Sequence, residues 1–340
     1  MKSTLDEKTP VDGHQSSSGW PSLLLALAAL FWAGNFIAGR ALRGDVSPVE
    51  LGFWRWTIAV LVLLPLYHRA LRQHWTALRD NAALVVALGA TGLAGFHTLT
   101  YVALSNTTAL NAVLLLSLTP ILILALTWCL RDEPVSVIRL AGALVSLVGA
   151  GVIVCRGDMA QALATRINAG DGVMAMALPL WAVYSVLLGR RPQSLPTPVL
   201  LMGSAVVAVV VLAPFLAWQL LAGPPMHLNA GSLAGILYMG VFASAGAFLC
   251  FNHGVGMVGA ARAGPYLHLI PVFGTMLAVV LLGEPLHPYH GVGATLVCAG
   301  ILLAGRRRLP VIHARPHAAG GRPGWTKSTR PPTHPTVVRR

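Results

Sequence analysis

The sequence predicts an all-α integral membrane protein with ten transmembrane helices in a 5+5 inverted-topology repeat. Three observations lead to this fold class. Apolar residues make up 55% of the 340 residues and charged residues only 10%, whereas soluble proteins average about 25% charged residues. Ten apolar runs are long enough to cross a hydrocarbon core about 30 Å thick. One segment of the chain also occurs twice, at a constant offset.

The repeated segment spans 109–149 and again 260–300, an offset of 151 residues. Seven landmarks align without a gap: Ala112 with Ala263, Leu118 with Leu269, Pro120 with Pro271, Glu133 with Glu284, Pro134 with Pro285, Gly142 with Gly293, and Gly149 with Gly300. Each copy consists of two apolar helices joined by a charged turn. The chain therefore contains an internal duplication, which determines its architecture.

The ten apolar runs are separated by short polar connections. They lie at about 21–42, 47–67, 82–104, 107–130, 135–155, 171–189, 197–221, 231–252, 263–283 and 287–305. The first run is too long for a signal-peptide core and lacks a small-residue cleavage site, so we expect it to be retained. The spans must be helices, because an isolated strand in lipid would leave its backbone donors and acceptors unpaired.

Two repeats and two polar tails account for the sequence apart from residues 157–169, which connect the repeats. We assign 20–156 to the first repeat, 170–305 to the second, 1–19 to an amino-terminal tail and 306–340 to a basic carboxyl-terminal tail. The last tail holds nine Lys or Arg residues, no acid, and many Pro, Gly and His residues, a composition typical of disorder. Its position directly after a span favours contact with anionic lipid, and nucleic acid is not an expected partner despite the net charge of +13.

The distribution of Lys and Arg predicts the orientation. With the amino terminus inside, the inside segments hold most of the basic residues and the outside loops hold few. Both termini should therefore face the cytoplasm. Five spans per repeat then insert the second copy upside down, an arrangement common in secondary transporters.

Several motifs resemble the EamA domain of the drug/metabolite transporter superfamily. They are WAGNF (32–36), SPVELGFWRW (47–56), SLTPILILAL (117–126), RDEP (131–134), LIPVFG (269–274) and LLGEP (281–285). The resemblance covers about residues 20–305. It implies a carrier of ten helices in the inner (plasma) membrane of the cell, usually an exporter of small metabolites such as amino acids or other amphipathic compounds. It also implies a cavity between the two halves, which the fifth and tenth helices do not line.

Polar and aromatic residues within the spans are candidates for lining this cavity, because polar groups in lipid are costly unless they have a function. Trp32 and Asn35 share one face of the first span, and Trp181 with Tyr184 repeats the pattern in the sixth. An aromatic ring beside a hydrogen-bonding group suits a small amphipathic substrate. Ordinary packing between helices is the alternative interpretation.

Four further residues complete the candidate lining. These are His97 and Tyr101 in the third span, Asn252 at the end of the eighth, and His268 in the ninth. His268 could relay a proton, the candidate coupling ion; a buried neutral histidine is the alternative. An interfacial position is equally ordinary for Tyr101.

Prolines and glycines mark the helices that we expect to bend or to pack closely. Pro120 and Pro271 should kink their helices at matching positions and act as hinges, although straight packing around each proline is also open. The spaced glycines of the fifth and tenth spans should permit close packing, either within one chain or in a homodimer.

Charged residues near the spans leave further alternatives. Arg55 lies well inside the second span. We favour a structural or interfacial role over anchoring an anionic group such as a substrate carboxylate. For Glu133 and Glu284 we favour an interfacial turn over proton coupling, because each follows a span and precedes a proline.

Together these features predict a secondary active transporter of a small-molecule substrate that works by alternating access, with export as the favoured direction. No phosphate-binding loop is present, so an ion gradient should supply the energy. HExxH and GxSxG motifs are absent, and the four cysteines form no CxxC motif. We therefore expect no enzyme activity, no catalytic residues, no metal and no cofactor. An importer or exchanger of the same fold is the alternative, and a membrane-embedded enzyme is a less favoured one.

Overall fold

The computed structural model describes residues 19–42, 44–107, 109–130, 136–158, 168–283 and 285–305. Ten helical segments in these ranges are long and apolar enough to cross a membrane, which confirms the predicted all-α membrane fold. Glu133 and Glu284, for which we expected an interfacial turn, lie outside the described residues, as does the basic tail.

The first five spans are numbered in chain order. They are α1 (Trp20–Ala41), α2 (Pro48–Gln73), α3 (Ala82–Asn106), α4 (Ala109–Leu116 and Thr119–Cys129) and α5 (Val137–Val154). A short helix, Trp75–Asp80, lies between α2 and α3. The second five are α6 (Ala169–Gly189), α7 (Thr197–Ala222), α8 (Ala230–Val258), α9 (Ala260–Ala263, Gly264–His268 and Leu269–Leu282) and α10 (Pro288–Gly305).

Helix packing follows the symmetry of the duplication. The equivalent helices α2 and α7 pack on each other, and so do α5 and α10. The contacts of α1 with α8 and of α3 with α6 form a related pair. Every one of these contacts joins the first repeat to the second, so the two halves share one core.

Three helices begin at the same end of the bundle, each with reciprocal hydrogen bonds between its N-cap and third residues. The pairs are Ser47 with Glu50 in α2, Asn168 with Asp171 in α6, and Asn229 with Ser232 in α8. Such caps satisfy the free amide groups of a first turn. We call this end, where His227 N also donates to Asp45 O, the Asp45 end. The opposite end carries Arg191.

Both repeats interrupt their third helix with a π-helical segment. Gly89–Gly95 is π-helical in α3 and Met239–Gly246 is π-helical in α8. The offset of 151 residues aligns Gly95 with Gly246, so the interruptions occupy equivalent positions in the two repeats. A π segment leaves backbone carbonyls free for other partners and often marks a functional site.

The fourth helix of each repeat is interrupted as well. In α4 the helix breaks before Thr119, and in α9 a 3₁₀ turn spans Gly264–His268. Pro120 and Pro271 occupy the first turn after each break. In a first turn the missing N–H of proline removes no intrahelical bond. Each proline therefore follows a break that separates two helical segments, and it does not kink a continuous helix.

The spaced glycines join α5 to α10 within one chain. A Cβ atom at Gly149 would lie 2.7 Å from the carbonyl oxygen of Gly293, and one at Gly300 would lie 2.5 Å from the amide nitrogen of Ser146. Backbone therefore approaches backbone directly along this helix pair. The sequence left open whether these glycines pack within one chain or in a homodimer. In the structure the glycines of α5 pack against those of α10 in the second repeat of the same chain.

Candidate functional site

A large cavity opens at the Asp45 end between the two repeats. Its volume is about 950 Å³, which is within the usual range for small-molecule sites. We call it the vestibule. Its lining includes Phe36, Asp45, Glu50, Tyr101, Asn168 and His227. The walls come from α1, α2, α3 and α4 and from the connections that precede α2, α6 and α8.

A smaller cavity lies next to the vestibule. It shares Phe36 and Tyr101 with the vestibule and has a volume of about 30 Å³, enough for a water molecule or two. We call it the aromatic pocket. Its lining comprises Trp32, Asn35, Phe36, Phe96, His97, Thr100, Tyr101, Leu116, Trp181, Leu267 and Ile270. Both repeats contribute, so the pocket lies at their interface.

The structure brings five of the eight predicted lining residues together in the aromatic pocket. They are Trp32, Asn35, His97, Tyr101 and Trp181. The indole rings of Trp32 and Trp181, one from each repeat, meet edge to face with centroids 5.2 Å apart. Such a geometry is favourable for aromatic pairs.

Tyr184 and Asn252 lie outside both cavity linings. The Tyr184 hydroxyl donates to Asn252 Oδ1 at 2.8 Å, and its ring packs against Trp181 with centroids 5.2 Å apart. Gly92 explains this placement, because a Cβ atom there would overlap the Tyr184 ring. Tyr184 therefore fills the space beside α3 and supports Trp181 from behind.

The two indole N–H groups have different environments. Trp32 Nε1 donates to the carbonyl oxygen of Ala243 at 3.1 Å, in the π segment of α8. Trp181 Nε1 is buried and has no hydrogen-bond partner among the described residues. A buried donor without a partner is costly and calls for an explanation.

His97 is fixed by the other π segment. Its Nδ1 lies 3.0 Å from the carbonyl oxygen of Gly92. A carbonyl oxygen can only accept, so Nδ1 carries the hydrogen. Gly92 and Ala243 are separated by 151 residues, so their carbonyls occupy equivalent positions. The carbonyl of Gly92, in the first repeat, accepts from His97, and the carbonyl of Ala243, in the second repeat, accepts from Trp32.

Arg55 is a buried residue that the sequence analysis did not include in the cavity lining. Its side chain is 0% exposed, so it does not reach the interface, and the interfacial interpretation is wrong. Nε donates to Ser244 Oγ at 2.7 Å, one Nη donates to the Tyr101 hydroxyl, and the other donates to Ala243 O at 3.3 Å. The position of a single charge in an apolar run was the signal available in the sequence.

The Arg55 bonds continue to the first helix. The Tyr101 hydroxyl in turn donates to Asn35 Oδ1 at 3.1 Å. The resulting chain runs from Arg55 through Tyr101 to Asn35. It links α2, α3 and α1 at the junction of the vestibule and the aromatic pocket.

His268 is outside both cavity linings. Its Nε2 lies 2.8 Å from the carbonyl oxygen of Ser117, and its Nδ1 lies 2.7 Å from Ser146 Oγ. Ser117 and His268 differ by 151 residues, so the first bond joins equivalent positions at the two helix breaks. This contact therefore lies on the pseudo-twofold axis between the repeats.

The Arg191 end of the bundle is packed shut. Leu25, Leu188 and Val255 are each at most 1% exposed. The Tyr266 hydroxyl donates to Ser22 Oγ at 2.7 Å, which ties α9 to the start of α1. The cavity system is thus open at one end and closed by apolar packing at the other.

Comparison with known proteins finds relatives along most of the chain. The sequence profile of the EamA-like transporter family matches residues 19–155 and again 168–306, which confirms the 5+5 arrangement. The uncharacterized transporter YyaM of Bacillus subtilis (strain 168) is 26% identical over 309 residues, 87% of this chain and 97% of that protein. A probable terminal-alkyne amino-acid exporter of Streptantibioticus cattleyicolor is 26% identical over 292 residues, 84% of this chain and 93% of that one.

A solved crystal structure shares the fold. Its TM-score is 0.69 at 24% sequence identity, and the match covers 84% of this chain and 96% of the other. The architecture is thus one that an experimentally determined protein also adopts.

Proposed function

The chain belongs to the EamA-like transporter family, and on that premise we propose that it exports small amphipathic compounds across the inner (plasma) membrane by alternating access. One observation carries this proposal: the cavity between the repeats is open at the Asp45 end and closed at the Arg191 end. A carrier needs one state that is open to one side of the membrane and a second state that is open to the other side. Inverted repeats supply both, because each half can adopt the conformation of the other.

The direction of export rests on orientation and on one relative. The excess of basic residues at the Arg191 end supports a cytoplasmic position for that end, and with this orientation the structure corresponds to an outward-open state. The relative from Streptantibioticus cattleyicolor is named a probable exporter of an amino acid. A green fluorescent protein fused after the carboxyl terminus should fluoresce; a dark fusion at normal expression would reverse the orientation.

We assign substrate contact to the aromatic pocket and the adjoining floor of the vestibule. Trp32 and Trp181 supply the apolar surface, whereas Asn35, His97 and Tyr101 supply polar groups. Tyr184 and Asn252 hold Trp181 in place from behind, and His268 with Pro120 and Pro271 belongs to the axis about which the halves move. The pocket holds only a water or two in this state, so substrate must occupy the vestibule or widen the pocket.

Counterflow into proteoliposomes tests the transport function. Purified protein is screened with labelled amino acids, nucleosides and cationic drugs, with and without an imposed pH gradient. Saturable exchange of one class is expected, and accumulation driven by the pH gradient would identify the proton as the coupling ion. No exchange of any class by folded protein would contradict the proposal.

Substitution of individual tryptophans tests whether the aromatic pocket is the substrate site. Trp32→Ala and Trp181→Ala should each reduce exchange by at least about tenfold, because each removes a large apolar contact worth more than about 1.4 kcal/mol. Trp218→Ala is the matched control, since Trp218 is 72% exposed on α7 and faces away from the cavities. Equal loss in all three variants would move the site elsewhere.

A further inference from the structure

The guanidinium of Arg55 is a buried cation without an anionic partner. All its hydrogen-bond acceptors are neutral: Ser244 Oγ, Ala243 O and the Tyr101 hydroxyl. No Asp or Glu of the described ranges forms an ion pair with it. Arginine does not lose its proton in proteins, and buried charges are ordinarily paired. The site is therefore one negative charge short.

The nearest acidic residue on the same helix has other partners. Glu50 caps α2 through Ser47, whose amide donates to Glu50 Oε2 at 2.9 Å. Five residues separate Glu50 from Arg55, which is about 7.5 Å along the helix axis. Glu50 and Asp45 line the vestibule near the start of α2, whereas Arg55 lies further along that helix and is fully buried. The positive charge therefore lies at the deep end of the cavity system, beyond both vestibule carboxylates.

Unused donors surround this deep end. Arg55 has five N–H groups, and its bonds to Ser244, Tyr101 and Ala243 use three of them. The Asn35 amide nitrogen has no acceptor among the residues that the structure describes, and Asn35 lines the aromatic pocket. Tyr101 lies between these groups and lines both cavities. Its hydroxyl accepts from the cation, which strengthens it as a donor.

We infer that Arg55, Tyr101 and Asn35 form a carboxylate-recognition site, and that the transported compound carries a carboxylate group. The carboxylate takes the Tyr101 hydroxyl hydrogen in place of Asn35 Oδ1 and accepts a second hydrogen from the Asn35 amide. The guanidinium behind Tyr101 supplies the opposite charge. The apolar part of the same compound lies against Trp32 and Trp181. This inference rests on the proposed transport function and specifies its substrate class.

Three small compounds that share one apolar body test the inference. They are 3-phenylpropionate, which has only the carboxylate; L-phenylalanine, which has both charges; and phenethylamine, which has only the amine. Binding to purified full-length protein is measured by calorimetry. The two carboxylates should bind at least about tenfold more tightly than the amine, as expected for a hydrogen bond to a charged group. Equal binding of all three, or binding of the amine alone, overturns the inference.

Substitutions test which residues produce the preference for carboxylates over the amine. Tyr101→Phe keeps the ring and should weaken both carboxylates by about tenfold while leaving phenethylamine unchanged. Arg55→Lys, which retains the charge, should keep part of the preference, and Arg55→Gln should abolish it. Tyr238→Phe is the matched control: its hydroxyl bonds to Phe31 O at 3.0 Å and lines neither cavity.

A purely structural role for Arg55 makes a different prediction. It would weaken all three compounds equally in Tyr101→Phe and Arg55→Lys, or lower only the yield of folded protein, and either result refutes recognition. The counterflow screen stands apart from this test. Exchange of nucleosides or cationic drugs with no binding of either carboxylate would retain the transport function and reject the substrate class.

Discussion

At the scale of single residues, the two tryptophans of the aromatic pocket differ in one hydrogen bond. Trp32 Nε1 satisfies the Ala243 carbonyl that the π segment of α8 leaves free. The equivalent carbonyl, that of Gly92, is already bound by His97. Trp181 Nε1 consequently has no partner in the described part of the chain. The duplicated halves have thus diverged at the site itself.

This difference predicts unequal effects of the same substitution. Trp32→Phe removes one hydrogen bond to the Ala243 carbonyl, which still accepts from Arg55, so it should lower the free energy of unfolding by about 1 kcal/mol. Trp181→Phe removes a donor that bonds to nothing and should cost less, roughly 0.5 kcal/mol or below. Equilibrium unfolding in mixed detergent micelles measures both. Equal destabilisation would mean that Trp181 Nε1 has a partner in solution.

His268 leads to a kinetic prediction, because it touches both halves but neither cavity. His268→Asn should break at least one of its bonds to Ser117 and Ser146. Losing about 1 kcal/mol from one conformation shifts the equilibrium between states by a factor of about five. Turnover should therefore fall several-fold while KM stays unchanged. A raised KM with normal turnover would assign His268 to the substrate site instead.

At the scale of helices, some features follow from the sequence and others do not. Length and apolarity suffice to locate the ten spans, since lipid requires about 20 apolar residues for each crossing. The π segments have no comparable pattern: Gly89–Gly95 and Met239–Gly246 are apolar runs like their neighbours. Each segment changes the helical phase beyond it. A regular period of 3.6 residues therefore does not predict the direction of His97 or Asn252.

Tyr184 shows a second limit of sequence patterns. Its spacing from Trp181 places both residues on one face of α6, which favoured a joint role in the lining. The structure places the Tyr184 ring in the space that a side chain at Gly92 would occupy. That contact depends on a residue 92 positions away in the chain. Helical periodicity describes one helix and carries no information about its neighbour.

The contact between α5 and α10 predicts a position-specific loss of stability. Gly149→Ala would place a Cβ atom 2.7 Å from both Gly293 O and Val297 N, which are backbone atoms that cannot rotate away. The free energy of unfolding should fall by about 1–3 kcal/mol. Gly291→Ala is the control on the same pair of helices, because a Cβ atom there meets nothing within 4 Å.

The control variant should be neutral or slightly stabilising, since alanine favours helix over glycine by about 1 kcal/mol. Thermal denaturation in detergent compares the two variants. If Gly149→Ala melted with Gly291→Ala at the wild-type temperature, the close approach of the two helices would be wrong.

At the scale of the whole molecule, the duplication determines how the halves meet. Contacts between α2 and α7, and between α5 and α10, join equivalent helices. The bond from His268 to Ser117 joins equivalent residues at the breaks in α4 and α9. The offset in the sequence predicted the equivalence of these positions. It did not predict that they touch, because an internal repeat specifies correspondence but not distance.

The unpaired charge of Arg55 has an electrical consequence. In the proposed outward-open state the vestibule admits the outside solution as far as the floor near Tyr101, so the membrane voltage should fall mainly across the packed Arg191 end. In the state that is open to the cytoplasm, the voltage would fall on the other side of Arg55. An empty carrier that changes state therefore moves about one elementary charge through the field, worth about 2.3 kcal/mol per 100 mV. A bound carboxylate cancels that charge, so exchange of substrate should ignore voltage whereas net export should respond to it.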